Sequence, residues 1–431
     1  MKYVPPWREP YFIGVAGCSG SGKTSITREL IQKLNTPWTV LLSMDNFYKA
    51  LNEQERELAF KSEYDFDNPE FVDFDLLTET LLKLKRGEKA EVPIYSFVHH
   101  NRTDEKMTLY GANVVIIEGI YALYDPRVLD LLNLKVFVYE DYDVCMARRL
   151  HRDILYRGRE LKLSIKQWHR FVKPNYLAKI LPTAKNSNLL IPKGIENEIA
   201  INMLFEFVRQ QLREKSLHHL QELRLLGTKS QLDEGSWVSK LKPTNQVLSL
   251  QTMIANKDCD RESFIFAVDR LSRRLITEVF DHVCSTANLA GAAIEDRLCI
   301  TTMVSGGEVF ESAIRQLLPD IFVGRLLIMS DLRSGEPALH LCKVPSWIGS
   351  ATTKVILTEA QIISGAAAVM GIAVLVDHGV KPENITFCAL VASEIGARRI
   401  HDAFPEVHLF FGTIGQTPPI LSIDKRYYGT E

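Results

Sequence analysis

Gly17-Cys18-Ser19-Gly20-Ser21-Gly22-Lys23-Thr24 spells G-x-x-x-x-G-K-[ST], the phosphate-binding glycine-loop signature. The run before it, Tyr11-Phe12-Ile13-Gly14-Val15-Ala16, is apolar and predicts a buried strand; Ser25 to Leu34 after it has helical spacing. Strand, glycine loop and helix are the context the motif needs. Glycine permits the curled backbone that turns successive N–H groups, here those of residues 17–24, toward phosphate oxygens. The helix start adds its dipole. Lys23 supplies a point charge for the β- and γ-phosphates, and the Thr24 hydroxyl suits Mg²⁺. The expectation is an α/β chain that binds a nucleoside triphosphate.

A length of 431 residues favours two or three domains. With 46% hydrophobic and 24% charged residues the composition is that of an ordinary globular protein. The formal net charge of −2 gives no basic field for nucleic acid. Seven cysteines without a C-x-x-C pair argue for free thiols in a reducing compartment and against a zinc ribbon. The first residues, Met1 to Arg8, lack the apolar core of a signal peptide. The longest apolar run, Ala366 to Val376, is too short to cross a bilayer, so no membrane partner is expected. These features lead to an expectation of a cytoplasmic protein, with the nucleus left open.

The first half alternates strands and helices. Val40 to Met44 and Val114 to Ile117 are apolar runs that end at Asp45 and Glu118; residues 135–139 and 189–191 are two more. Strands apolar on both sides predict a parallel sheet covered on both faces, with ligands beyond the carboxyl ends of its strands. A helical stretch at 198–214 closes this half, and the polar, mixed-charge segment 215–243 reads as a linker or joining arm. A second α/β series follows, with a long helix over 264–283 and strands near 298–304, 325–329, 354–357, 385–391 and 407–411. The expected organisation is therefore 1–214, an arm over 215–243, and 244–431.

Asp45 faces the glycine loop from a strand end. It is placed to accept a hydroxyl proton as that oxygen attacks a phosphoryl group, and to help hold Mg²⁺ through water. Glu118, at the next strand end, suits outer-shell Mg²⁺ coordination or a helix cap. Asp67, in Tyr64-Asp65-Phe66-Asp67-Asn68-Pro69, suits a ribose diol; an exposed turn explains the same composition equally well. Pro93 to Arg102 joins aromatics to adjacent imidazoles, which fits either a base-reading surface or a half-buried hairpin. Arg148, Arg152 and Arg159 fall near i, i+4 and i+11, one broad helix face that would fold over a triphosphate.

Over about its first half the chain resembles the uridine–cytidine kinases among P-loop nucleoside kinases. The resemblance rests on Gly17 to Thr24, Met44-Asp45-Asn46-Phe47-Tyr48, Phe66-Asp67-Asn68-Pro69, Pro93 to Phe97, His100-Asn101-Arg102, Glu118-Gly119-Ile120, Arg149 to Ile154 and Arg157-Gly158-Arg159. It implies Asp45 as the base on the 5′-hydroxyl, with Lys23 and Arg152 as catalytic partners. It implies Asp67, Arg149 and Arg159 on the ribose side, Tyr95 and His100 reading the pyrimidine, Phe97 packing beside it, and Gln167 at the nucleoside. Arg157, with Arg152, would serve a phosphate lid. ATP or GTP with Mg²⁺, uridine and cytidine as acceptors, UMP and CMP as products, and a homo-oligomer, commonly a tetramer, are further implications.

From about residue 246 onward the chain resembles uracil phosphoribosyltransferase, a type I phosphoribosyltransferase-like α/β domain. The stretches that carry this are 258–279, Ser305-Gly306-Gly307-Glu308, Gly335 to Leu339, Leu375 to Val380, Phe404-Pro405-Glu406-Val407 and Arg426-Tyr427-Tyr428-Gly429-Thr430. Three departures stand out. The family's Asp-Pro-x-x-Ala-Thr-Gly-Gly becomes Thr358-Glu359-Ala360-Gln361-Ile362-Ile363-Ser364-Gly365-Ala366; its Arg-Ala-Gly-Glu becomes Ser305-Gly306-Gly307-Glu308; and its Gly-Asp-Phe-Gly becomes Leu421-Ser422-Ile423-Asp424. Glu359, Ser364 and Gly365 remain as a degenerate phosphoribosyl site, while the arginine facing pyrophosphate is gone. The expectation is a nucleoside kinase whose second domain is inactive. A bifunctional salvage enzyme and a nucleotide-sensing scaffold are the alternatives.

Overall fold

The computed structural model describes residues 3–34, 36, 38–60, 63–96, 99, 101–228, 237–287, 297–330, 336–415 and 423–430. The chain forms two compact units, Pro6–Lys215 and Met1–Pro5 with Ser216–Glu431.

In the first unit the strands are β1 Tyr11–Gly17, β2 Thr39–Ser43, β3 Ala90–Ser96, β4 Asn101–Leu109, β5 Val114–Glu118, β6 Leu134–Tyr139 and β7 Leu189–Pro192. Five of them make one parallel sheet in the order β2-β5-β1-β6-β7. Alternation along β1 sends Ile13 and Val15 to one face and Phe12 and Ala16 to the other, all of them buried. The first face is covered by Ile26 and Leu30 of the helix Lys23–Leu34 and by Ile201, Leu204 and Val208 of the helix Glu198–Leu225. The second is covered by Leu77 and Leu81 of the helix Phe74–Lys85 and by Trp168, Val172 and Tyr176. Each such aliphatic side chain taken from water contributes about 1.5–3 kcal/mol, which is why apolar-all-round strands settle in the middle of a layered fold. β3 and β4 form an antiparallel hairpin, the bland alternative read from 93–102.

The arginine stretch folds differently from the expected single face. The helix Tyr142–Leu155 ends before Arg157, and Gly158 turns the chain with φ +63. Arg159 therefore lies outside that helix and returns over its end, its backbone N–H donating to Asp153 O at 3.0 Å. A left-handed residue breaks helical periodicity, and glycine adopts it without strain.

The segment 215–243 is partly regular. The helix Glu198–Leu225 runs into it, and β8, Val238–Lys240, lies near its end. β8 edges the second unit's sheet. With it are β9 Leu298–Val304, β10 Val323–Ser330, β11 Pro337–Lys343, β12 Lys354–Ile362, β13 Ile385–Ser393 and β14 His408–Gly415, in the order β11-β10-β9-β12-β13-β14-β8. All neighbours are parallel except β10 and β11. The helix Arg261–Ala287 packs Phe264, Leu271 and Leu275 onto this sheet. Among the described residues no helix is long and apolar enough to cross a membrane.

Candidate active site

The glycine loop leaves β1 and enters the helix that begins at Lys23. Gly20 has φ +91, and a Cβ there would lie 2.4 Å from Cys145 O, so the backbone conformation and the packing both demand glycine. Lys23 is buried; its Nζ donates to Cys18 O at 2.7 Å and Gly17 O at 3.1 Å. Burial pulls its pKa down, while the Glu118 carboxylate works in the opposite direction. The Thr24 hydroxyl donates to Glu118 Oε2 at 2.8 Å. Burial raises the Glu118 carboxyl, with Lys23 and the Thr24 hydrogen bond opposing it. A hydroxyl and a carboxylate thus meet beside the loop's lysine, the hard-oxygen donors Mg²⁺ prefers. Among the described residues no cluster of three or more His, Cys, Asp or Glu could hold a metal ion. A Mg²⁺ that keeps waters and phosphate oxygens needs no such cluster.

Asp45 sits in the short 3₁₀ turn Met44–Phe47 directly after β2. The turn is fixed from outside: Arg102 donates through Nε to Tyr48 O at 2.7 Å and through Nη2 to Phe47 O at 3.3 Å, and pairs with Asp73 at 3.1 Å. The buried Tyr48 hydroxyl faces Asp45, and its pKa is raised by burial and by that neighbouring carboxylate.

Asp67 is buried. Its Oδ1 meets Arg149 Nη1 at 3.3 Å, while its Oδ2 has no hydrogen-bond partner among the described residues. Its backbone is held at both ends: the N–H donates to Asp65 Oδ1 at 3.1 Å, and the carbonyl accepts from the buried Tyr121 hydroxyl. An oriented carboxylate with one oxygen in reserve is suited to a diol. Tyr95 lies in β3, and its buried hydroxyl is pushed up by desolvation first and then by Asp45.

Four arginines gather around one acid. Asp153, 1% exposed in the last turn of its helix, lies 3.6 Å from Arg149, 3.1 Å from Arg152, 3.4 Å from Arg157 and 3.4 Å from Arg159. Arg159 also donates to Oε1 of the buried Gln167 at 3.2 Å. Burial and the neighbouring Arg152 bring the Arg157 guanidinium down to about 10. Arg148 also lines the cleft but stands apart from Asp153, pairing with Glu140 at 2.9 Å and Glu196 at 2.7 Å.

One cleft of about 290 Å³ is lined by Ser19, Lys23, Thr24 and Glu118 together with Asp45, Asp67, Tyr95, Gln167 and the arginines. Phe97 and His100 lie outside the described residues. Arg102, Tyr48 and Asp153 carry structural work that motif reading did not single out. For Asp153 the available signal was an acid four residues after Arg149 inside a basic run.

In the second unit, β12 ends in a turn where Gly365 has φ +74, and the helix Ala366–Asp377 follows. Leu220, Leu223, Ile362, Ile363 and Ala366 line the cleft here, along with Arg224 and Arg399. Arg399 is engaged by Ser364 O and, at 3.4 Å, by Leu226 O. Glu359 turns back on its own strand and accepts from Ala360 N at 3.0 Å. A Cβ on residue 306 would lie 1.8 Å from Glu359 Oε1, so the longer acid occupies room that glycine leaves. Burial pushes the Glu359 carboxyl up to about 8, with Asp424 adding to the effect. Ser305 donates to Asp424 at 3.0 Å. Leu421 and Ser422 lie outside the described residues.

Comparison with known proteins agrees with both halves. Residues 12–200 match the model of the phosphoribulokinase/uridine kinase family, and residues 241–417 match that of uracil phosphoribosyltransferase. A uridine kinase of Saccharomyces cerevisiae is 44% identical over 428 residues, covering 96% of this chain and 85% of its own. A uridine kinase of Schizosaccharomyces pombe is 36% identical, covering 99% and 97%. The mouse protein named uridine-cytidine kinase-like 1 is 37% identical, covering 99% and 82%. The chain belongs to the uridine kinase family, in the form that carries a uracil phosphoribosyltransferase-like second domain.

Proposed function

We propose that the chain transfers the γ-phosphoryl group of ATP to the 5′-hydroxyl of uridine or cytidine, giving UMP or CMP and ADP in pyrimidine salvage. The observation that carries this is a single cleft lined both by the triphosphate loop and by the oriented Asp67 carboxylate, with Asp45 also in its lining. The glycine loop and Lys23 hold the phosphates. Asp67, with Arg149 paired to it and Arg159, holds the ribose diol; Tyr95 reads the base, His100 and Phe97 share that role by the family resemblance, and Gln167 supports the nucleoside. As O5′ attacks the γ-phosphorus, Asp45 takes the hydroxyl proton; the new P–O bond forms as the bond to the β-phosphate oxygen breaks. Lys23, Arg152 and Arg157 neutralise charge on the phosphoryl oxygens in flight. Thr24, Glu118 and Asp45 are the residues that would hold Mg²⁺, which would supply positive charge to screen the phosphate oxygens. GTP shares the same triphosphate chemistry and is the alternative donor. The working form is a cytoplasmic homo-oligomer, with a tetramer as the first state to test.

The second unit contributes no uracil phosphoribosyl transfer in this reading. Its support is local: Ser305 stands where that family carries an arginine, Glu359 is turned to its own backbone, and Arg399 is already engaged by Ser364 and Leu226. The test of the kinase reading is purified full-length protein with Mg²⁺, ATP and a panel of acceptors. Phosphorylation of uridine and cytidine, with D-ribulose 5-phosphate and pantothenate left unchanged, is the expected result. Turnover of either of the latter in preference to a nucleoside contradicts it.

A further inference from the structure

The Asp153 carboxylate does not itself line the cleft; the four guanidiniums around it do. Those four arise from different local structure. Arg149 and Arg152 are on the helix Tyr142–Leu155, whereas Arg157 and Arg159 flank the Gly158 turn beyond it. The backbone bond from Arg159 N–H to Asp153 O returns the second pair over the helix end, where four like charges would repel one another. What they share is one carboxylate, 1% exposed, at 3.1–3.6 Å from each. Two of the four then extend the arrangement to the acceptor side: Arg149 meets Asp67 at 3.3 Å and Arg159 meets Gln167 at 3.2 Å.

We propose that Asp153 is the positioning residue of this cleft: its buried carboxylate gathers Arg149, Arg152, Arg157 and Arg159 into one array. That array registers the nucleoside, through Asp67 and Gln167, with the transferring phosphoryl group. This rests on the nucleoside kinase reading above. Asp153 touches neither substrate and transfers no proton; it acts through the guanidiniums. Four cations against the carboxylates of Asp153 and Asp67 still leave a net positive charge of two in the array, so it stays attractive to phosphate while its internal repulsion is reduced. Breaking a buried, shared ion pair by removing one partner costs far more than an exposed pair does. A displacement of about 1 Å at groups that orient a reacting centre costs on the order of 10²-fold in rate.

The experiment uses the full-length protein and two variants, Asp153→Asn and Asp153→Ala. Steady-state kinetics with uridine and ATP are measured with and without sodium formate, alongside the thermal unfolding midpoint. Expected for Asp153→Asn is a fall in kcat of about 10²-fold and a rise in the KM for uridine larger than that for ATP. In Asp153→Ala, formate entering the cavity supplies the missing anion and restores activity at least about tenfold, with no stimulation of the unsubstituted protein. A purely structural role would not produce that rescue. The proposal is overturned if folded Asp153→Asn keeps kcat and both KM values within about threefold, or if the activity loss of both variants tracks their unfolded fraction and formate leaves it unchanged. An unsubstituted protein that does not phosphorylate uridine overturns the kinase reading, and this proposal with it. An active unsubstituted protein beside unaffected variants overturns this proposal alone.

Discussion

Two glycine turns in this chain look alike in backbone and differ in surroundings. Gly17 to Thr24 follows β1, and Ile363 to Ala366 follows β12; each ends a parallel strand, holds a glycine at positive φ and opens a helix. Around the first stand a buried lysine, a hydroxyl paired to a carboxylate, a strand-end aspartate and an arginine array. Around the second stand mostly leucines, isoleucines and alanines, with Arg224, Glu359 and Gln361 among them, and the Arg399 beside it already serves Ser364 and Leu226. Backbone N–H groups at a helix start make an anion site possible. Phosphoryl chemistry needs an available charge and base in one cleft; at the second turn Glu359 is held by its own strand and Arg399 by backbone carbonyls.

The contrast can be broken first at the carboxylates. Asp45→Asn should lower kcat by about 10²- to 10⁴-fold, the range of a lost general base, with the KM for uridine little changed. Glu359→Gln, its counterpart in the second unit, should leave kinase turnover within about twofold, a change of under ~0.5 kcal/mol in the barrier. Equal losses from both would mean the second turn takes part in the chemistry.

Glycine substitutions give the next largest effect. Gly20→Ala places a Cβ 2.4 Å from Cys145 O at φ +91 and should raise the KM for ATP by about tenfold or more, as strain of about 1–3 kcal/mol displaces the loop. Gly365→Ala places one 2.6 Å from Gly396 O at φ +74. It should lower the unfolding midpoint of the second unit while the KM for ATP stays unchanged. Steady-state kinetics and differential scanning calorimetry on the pair separate the outcomes.

Smaller still is Tyr95→Phe, which should raise the KM for uridine by about three- to tenfold, the value of one hydrogen bond, and leave that for ATP alone. Equal effects on both would make Tyr95 a packing residue. The last contrast is one of stability and not of turnover, a pH dependence in the second unit. The Glu359 carboxyl titrates at about 8 when folded, against about 4.3 for an unperturbed glutamate. Between those values the folded chain holds a proton that the unfolded chain releases, so stability is full below about pH 4.3 and declines as pH rises through 8. The second unit's unfolding midpoint should therefore fall between pH 5 and pH 8, and Glu359→Gln should flatten that slope. An unchanged slope would place the acid in a less desolvated setting.

Much of the first unit was legible because its signals are local. Apolar runs at 40–44 and 114–117 marked strands, and the acids that close them fell where ligands meet a parallel sheet. Asp67 reads as either a diol ligand or a turn until its backbone restraints and its reserved oxygen are seen. Arg159 was assigned to a helix face because periodicity was carried through Gly158, where the backbone turns. β8 and β11 escaped reading because edge strands with mixed polarity lack the apolar run of buried ones. Arg102 and Asp153 escaped for a different reason: each acts through another residue, a relation that only tertiary structure displays.

The most direct test of the central claim, that the Gly17 turn serves catalysis and the Gly365 turn does not, is one preparation of full-length protein assayed in two ways. With uridine and Mg²⁺–ATP it should form UMP and ADP at an ordinary enzymatic rate, on the order of 1–10³ s⁻¹. With uracil and phosphoribosyl pyrophosphate it should form no UMP. UMP from the second assay at a rate above about 1 s⁻¹, or none from the first, would contradict the account.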